Sequence, residues 1–191
     1  IVVVAIAERS RLGALLPVTG STMVAGMTYV EPHRTLILLR TKVPEDPTED
    51  NPYHVAYHEY VHAVLGRSLR LPPWLSEGLG EYWGGTRITD REVEIGRPIG
   101  THVHTLRRLR RLPLEKLFRQ ERAAGHGAGD DGTMVFYAQS WALVHYLALG
   151  APARAGQLNR LGALLAQGRD PLEATRTALG DFDALGAEID A

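Results

Sequence analysis

The sequence predicts an α+β fold on three observations. β-branched, strand-like runs lie in the first quarter of the chain. Helical patterns punctuated by Pro, Gly, Asn and Asp fill the rest. Strands and helices do not alternate, which argues against a parallel sheet wound with helices.

The elements follow in order. Ile1 to Ala7 is β-branched and reads as a buried strand. Arg9 to Leu16 reads as a short helix stopped by Pro17, and Thr19 to Ser21 as a turn. Thr22 to Thr41 reads as two extended pieces broken near Glu31-Pro32-His33, the second piece, Thr35 to Leu39, being a core strand. Val43 to Pro52 is acidic and Pro-rich, a surface loop. Asn51-Pro52 starts a helix that runs to about Leu65, with Gly66 as its stop. Pro72-Pro73 opens a second helix, Trp74 to Trp83, closed by Gly84-Gly85. Thr86 to Ile95 reads as a hairpin, His102 to Leu112 as a helix, and Leu114 to Arg119 as a short helical piece. After a Gly-rich loop from Gln120 to Gly132, a helix runs from Thr133 to Leu149 and ends at Gly150. Three more helices follow: Ala153 to Gln167, Pro171 to Leu179 with Asp170 as N-cap, and Asp181 to Ile189.

Composition narrows the function. With 191 residues, 45% hydrophobic and 23% charged, the chain can bury a core without covalent staples. It has no cysteine, so any metal must sit on His, Asp or Glu. A formal net charge of -1 provides no global positive field for nucleic acid, which is not an expected partner. No apolar run approaches the ~18 residues that span a bilayer. The start at Ile1 reads as that of an excised or processed fragment, which leaves targeting signals unobserved. Of 21 basic residues only Lys42 and Lys116 are lysine, a skew that suggests a GC-rich bacterial genome. The compartment is not readable, with a lean to a bacterial exported or cell-envelope setting.

Chemistry concentrates at His58-Glu59-Tyr60-Val61-His62, an H-E-x-x-H run inside a predicted helix. Residues four apart share a helix face, roughly 6 Å from one another. Two imidazoles so placed can aim Nε2 at one zinc ion, with Zn–N near ~2.1 Å. Glu59 is rotated by about 100° from His58, off the metal but near a water beside it. A chain of this composition yields roughly 0.02 such matches by chance. A catalytic zinc needs a third protein ligand and one open position. Glu77, 15 residues after His62 on the next helix, is brought back toward the pair by an αα-hairpin. Glu81, one turn on, is placed to accept the second ring N–H of a ligand histidine. The reverse assignment, Glu81 as ligand and Glu77 as support, stays open. So does a helical hairpin whose carboxylates face solvent.

With Trp74-Leu75-Ser76-Glu77-Gly78-Leu79-Gly80-Glu81-Tyr82 behind the first motif, the chain resembles the gluzincin zinc metallopeptidases, which include thermolysin and the aminopeptidase N family. It is most similar to bacterial peptidase-MA-like domains, which share a later run matching Tyr137-Ala138-Gln139-Ser140-Trp141-Ala142-Leu143-Val144-His145. The likeness covers most of the chain. Its metal motifs are highly specific and its helical tail is not. The resemblance implies a zincin-like fold: a small twisted N-terminal sheet on the H-E-x-x-H helix, with a mostly helical second half. One domain over 1–191 is expected, with the sheet and metal-binding helices in 1–85 and a helical part in 86–191 completing the cleft. It implies one zinc held by His58, His62 and Glu77, Glu59 as general base, Glu81 supporting the ligands, and a peptide or protein substrate.

Tyr137 sits where aminopeptidase relatives carry an oxyanion-stabilising Tyr; the alternative is a half-buried aromatic. His145 is on the same helix face two turns on, read as packed or supporting before catalytic. The segment from Thr22 to Thr41 should hold a sheet edge that pairs with substrate backbone. Aminopeptidases carry a Glu there for the substrate's free amine. Gly26-Met27-Thr28-Tyr29 has none, which favours an endopeptidase. His54 is one turn before His58 and reads as a helix-surface residue first. His102 and His104 cannot share a helix face and read as exposed. Arg107, Arg108, Arg110 and Arg111 read as a solvated face. Gly125 to Gly132 reads as a flexible loop and a candidate lid rather than a calcium loop. Two rival functions remain: a catalytically inactive interaction module, and a hydrolase of non-peptide amides. The intact Glu59 argues against the first, because a structural metal site needs no base.

Overall fold

The computed structural model describes residues 1–7, 11, 25–41, 51–66, 70–120 and 131–190. Nearly all of the helix expected from Arg9, the turn at Thr19 to Ser21, nearly all of the loop from Val43 and nearly all of the Gly-rich loop before Gly132 lie outside them.

The fold is mixed α+β. A three-stranded sheet runs in the order β1 (Val2–Ile6), β3 (Thr35–Arg40), β2 (Gly26–Val30). β1 is parallel to β3, with Val4 opposite Leu38, and β2 is antiparallel to it, with Thr28 opposite Ile37. β3 is the central strand and buries Thr35, Ile37 and Leu38. β1 corrects an expectation: it is a strand but not a buried one, with Val2 51% and Val3 56% exposed. Among the described residues β1 is an edge strand with a neighbour on one side only, and only its Ile6 is buried, packing with Leu38.

Helix α1 (His54–Leu65) packs on β2 and β3, and α2 (Pro73–Gly84) packs on α1. Pro73 occupies the first turn of α2, where its missing N–H costs nothing. A short hairpin of β4 (Arg87–Ile88) and β5 (Val93–Glu94) follows, as expected. Then come α3 (Gly100–Arg108), α4 (Leu114–Phe118) and α5 (Asp131–His145). The expected helix to Leu149 changes character after His145: Tyr146–Gly150 is a wider π turn. A 3₁₀ turn, Pro152–Arg154, leads to α6 (Gln157–Ala166), α7 (Pro171–Leu179) and α8 (Phe182–Asp190). Asp170 caps α7 as expected, its Oδ1 accepting from Glu173 N–H at 2.9 Å.

The main core is helical and forms around Trp74, Leu117, Phe136, Leu161 and Leu185, all fully buried. An aromatic side chain such as Trp74 or Phe136 removes about 150–250 Å² from water. That is roughly 4–6 kcal/mol of gross burial energy at ~25 cal/mol/Å². α2 crosses α5 at close range, because Gly78 has no Cβ to meet the Ser140 carbonyl oxygen, which would lie 2.5 Å away. Among the described residues no helix is long and apolar enough to cross a membrane.

Candidate metal centre and cleft

α1 and α2 form an antiparallel hairpin whose register is set by small residues. His54 faces Gly84 and His58 faces Gly80, while His62 faces Ser76. A Cβ on Gly80 would lie 2.8–2.9 Å from three atoms of the His58 ring, and one on Gly84 would lie 2.9–3.1 Å from the His54 ring. Each imidazole thus fills the space of a missing side chain. Asn51 ties the start of α1 to the end of α2, its Nδ2 donating to the carbonyls of Gly84 at 2.7 Å and Thr86 at 2.8 Å.

His58 Nε2 and His62 Nε2 lie 2.9 Å apart. Glu77 Oε2 stands 3.3 Å from the first and 3.5 Å from the second. The other ring nitrogens are occupied. His58 Nδ1 lies 3.1 Å from Glu81 Oε1, and His62 Nδ1 lies 3.1 Å from Ser76 Oγ. An ionised carboxylate only accepts, so the His58 Nδ1 that faces Glu81 carries a proton, and Nε2 is the ring nitrogen turned toward His62 and Glu77. Glu77 Oε2 is buried and has no hydrogen-bond partner. Two ring nitrogens and an unsatisfied anionic oxygen therefore converge on one point. Around a tetrahedral zinc with bonds of ~2.1 Å, ligand atoms are about 3.4 Å apart. Both nitrogen–oxygen separations match that edge, and the nitrogen–nitrogen distance is shorter. Among the described residues, two groups of three side chains could each hold a metal ion: His58, His62 and Glu77, and the buried His54, His58 and Glu81.

The electrostatics favour positive charge at this point. Burial alone would raise the Glu77 carboxyl, but His58 and His62 bring it down to about 2. Burial would lower His58, and Glu77 and Glu81 outweigh that, holding it well above the usual histidine range. Glu81 is likewise kept well below the carboxylate range, against its burial, chiefly by His54 and His102. His54 Nε2 and His102 Nε2 approach Glu81 Oε2 at 3.0 and 2.8 Å.

His54 is buried rather than on the helix surface. His102 is not exposed either: α3 turns it onto Glu81, while its neighbour His104 is exposed. The matching four-residue spacings of His54, His58, His62 and of Ser76, Gly80, Gly84 were a sequence signal for the first. No local signal announced the second, because α3 reaches Glu81 only through the tertiary fold.

A cleft of about 600 Å³ opens over these groups. β2 and α1 form one wall, and α2, α3 and the start of α5 the other. β2 is an edge strand among the described residues, pairing only with β3. Glu59 is buried at the foot of β2, where Thr28 Oγ1 lies 2.7 Å from its Oε2 and 2.9 Å from its carbonyl oxygen. Gly26 is required there, since a Cβ would meet Glu59 Cγ at 2.8 Å. Tyr137 lines the cleft with its ring centre 6.5 Å from that of His58. Burial first, then the charges of Glu77, Glu81 and Glu59, push its phenol far above the usual tyrosine range. His145 points elsewhere: its Nε2 meets the Gly96 carbonyl oxygen at 2.9 Å, and its ring lies near Trp141 and Tyr82. The arginines at 107, 108, 110 and 111 are exposed.

What the geometry establishes is a buried histidine–glutamate cluster able to hold a metal ion, set in a mixed α+β fold. No family model matches the chain, and no curated protein or solved structure matches it either.

Proposed function

We propose that this chain is a zinc-dependent peptide-bond hydrolase that cuts internal bonds. The observation that supports it most is the convergence of His58 Nε2, His62 Nε2 and the buried Glu77 Oε2 at the floor of an open cleft. Two imidazoles and one carboxylate, without thiolates, form a donor set suited to catalytic zinc with one position left open. When bound, zinc polarises the scissile carbonyl and acidifies the attacking water.

The rest falls to the chain's own residues. β2 offers the edge left unpaired among the described residues to an extended substrate backbone. Glu59, held by Thr28, takes the proton from the water and returns it to the leaving amine. Tyr137 stays protonated at any ordinary pH, so it can only donate to the negative charge that develops on the carbonyl oxygen. Glu81 keeps the His58 lone pair turned inward. No carboxylate on Gly26–Val30 is available to grip a free amine, which supports an endopeptidase over an aminopeptidase.

The test combines zinc stoichiometry with hydrolysis of end-blocked fluorogenic peptides. Purified protein should hold about one zinc per chain, and His58→Ala or His62→Ala should release it. Glu59→Gln should keep the zinc and the fold but lose hydrolysis, with the loss in kcat. Full zinc in both histidine variants, or undiminished turnover in Glu59→Gln, would overturn the reading. Zinc uptake without cleavage of any peptide would favour the inactive interaction module.

A further inference from the structure

Glu81 has more partners than the support of one ligand requires. Its Oε1 receives His58, while its Oε2 receives two further imidazoles, His54 from α1 and His102 from α3. The carboxylate itself comes from α2, so three helices meet on one buried group. Accepting from a single donor, a glutamate carboxylate could turn about its broad terminal torsion and exchange oxygens. Two donors on Oε2 fix its plane and aim Oε1 at His58 Nδ1. Those donors are themselves held: the His54 ring lies against Gly84, and the His102 ring lies 5.6 Å from that of Trp141.

We infer that His54 and His102 are positioning residues of the metal centre and act on it through Glu81. This rests on the proposed reading in which His58, His62 and Glu77 hold zinc. The assignment makes α3 part of the metal centre, although it contributes no ligand.

The experiment is zinc affinity, measured by competition with a chromophoric chelator at fixed pH, with the thermal midpoint of each zinc-free variant as a check on folding. Glu81→Gln should weaken zinc by about 10–100-fold. His102→Leu and His54→Leu fill the imidazole volume without an N–H. Each should weaken zinc measurably, by no more than Glu81→Gln does. Added to Glu81→Gln, either should cost nothing further, since residues acting through one group are not additive. His102→Gln, which keeps a donor, should recover part of the loss. The two leucine variants probe the same carboxylate from different helices, so misfolding of one leaves the other to decide. Unchanged affinity in a folded leucine variant, or a fully additive double variant, would overturn the inference. So would complete zinc loss in His54→Leu, which would make His54 a ligand. Wild-type protein that takes up no zinc would overturn the functional reading and this inference together, whereas wild-type uptake with indifferent variants would overturn this inference alone.

Discussion

At the scale of single residues, the two glutamates of α2 differ in how they are satisfied. Glu81 faces three imidazoles at 2.8, 3.0 and 3.1 Å, whereas Glu77 Oε2 faces two at the longer distances of 3.3 and 3.5 Å and makes no hydrogen bond. A buried anionic oxygen with only long contacts is costly, and a bound cation relieves it. Glu77→Gln should therefore weaken zinc far more than the ~10–100-fold loss expected for Glu81→Gln. The opposite ranking would place the ion in the His54, His58 and Glu81 group. Tyr137 gives a second residue-level test. Tyr137→Phe keeps the ring beside His58 and removes only the donor. Loss of one oxyanion donor costs ~10²–10³ in kcat, with KM and zinc content little changed. Normal kcat in the Phe variant would return Tyr137 to a packing role. His145, committed to the Gly96 carbonyl, offers no replacement.

At the scale of elements, the α1–α2 hairpin depends on glycines in a way that reverses their usual cost. Glycine inside a helix is about 1 kcal/mol worse than alanine. At Gly162 on α6 nothing lies within 4 Å of a new Cβ, so Gly162→Ala should stabilise the protein by up to ~1 kcal/mol. The same change at Gly80 drives a Cβ into the His58 ring, which Glu81 holds in place. Overpacking of that kind costs about 1–3 kcal/mol, enough to offset the propensity gain. Gly80→Ala should therefore fail to raise Tm and should weaken zinc, because the displaced ring carries a nitrogen proposed to bind it. Thermal melts and zinc titrations of both variants decide the point. A Gly80→Ala protein with higher Tm and intact affinity would show that the ring moves aside without cost.

At the scale of the whole molecule, the C-terminal helices are clasped by one arginine. Arg154 donates to Glu188 on α8, to the Leu179 carbonyl at the end of α7 and to Gln157 on α6. The Tyr146 hydroxyl of the π turn donates to the same Glu188 at 2.6 Å. Hydrogen bonds from Arg154 and Tyr146 bring the Glu188 carboxyl from the ordinary 4.5 down to about 2. The folded value is depressed, so this contribution is fully present above pH 4.5 and is lost as the pH falls toward 2. Arg154→Ala should flatten the acid limb of the stability profile and lower Tm at neutral pH by about 2–4 °C. Neither residue lines the cleft, so zinc affinity should not change. An unaltered acid limb would mean that the clasp forms equally in the unfolded chain.

Several features followed from the sequence by itself. The H-E-x-x-H spacing placed His58 and His62 on one helix face, because 3.6 residues per turn leaves no other arrangement. Pro72-Pro73 and Gly84-Gly85 bounded α2, and the short link between Gly66 and Pro72 made the helical hairpin that brings Glu77 back toward them. Asp170 marked the start of α7 through its own side chain. Each of these rests on contacts a few residues apart, or on one helical hairpin. The tertiary structure decided what depends on distant segments meeting. It set the exposure of β1, which alternation in a short apolar run cannot specify. It brought Thr28 from β2 onto Glu59, 31 positions later. It turned His102 inward to Glu81, 21 positions away, and sent His145 to Gly96 instead of the cleft. The physical reason is common to these cases. A polar side chain takes its role from the partner that satisfies it once water is excluded, and that partner is chosen by how helices and strands pack.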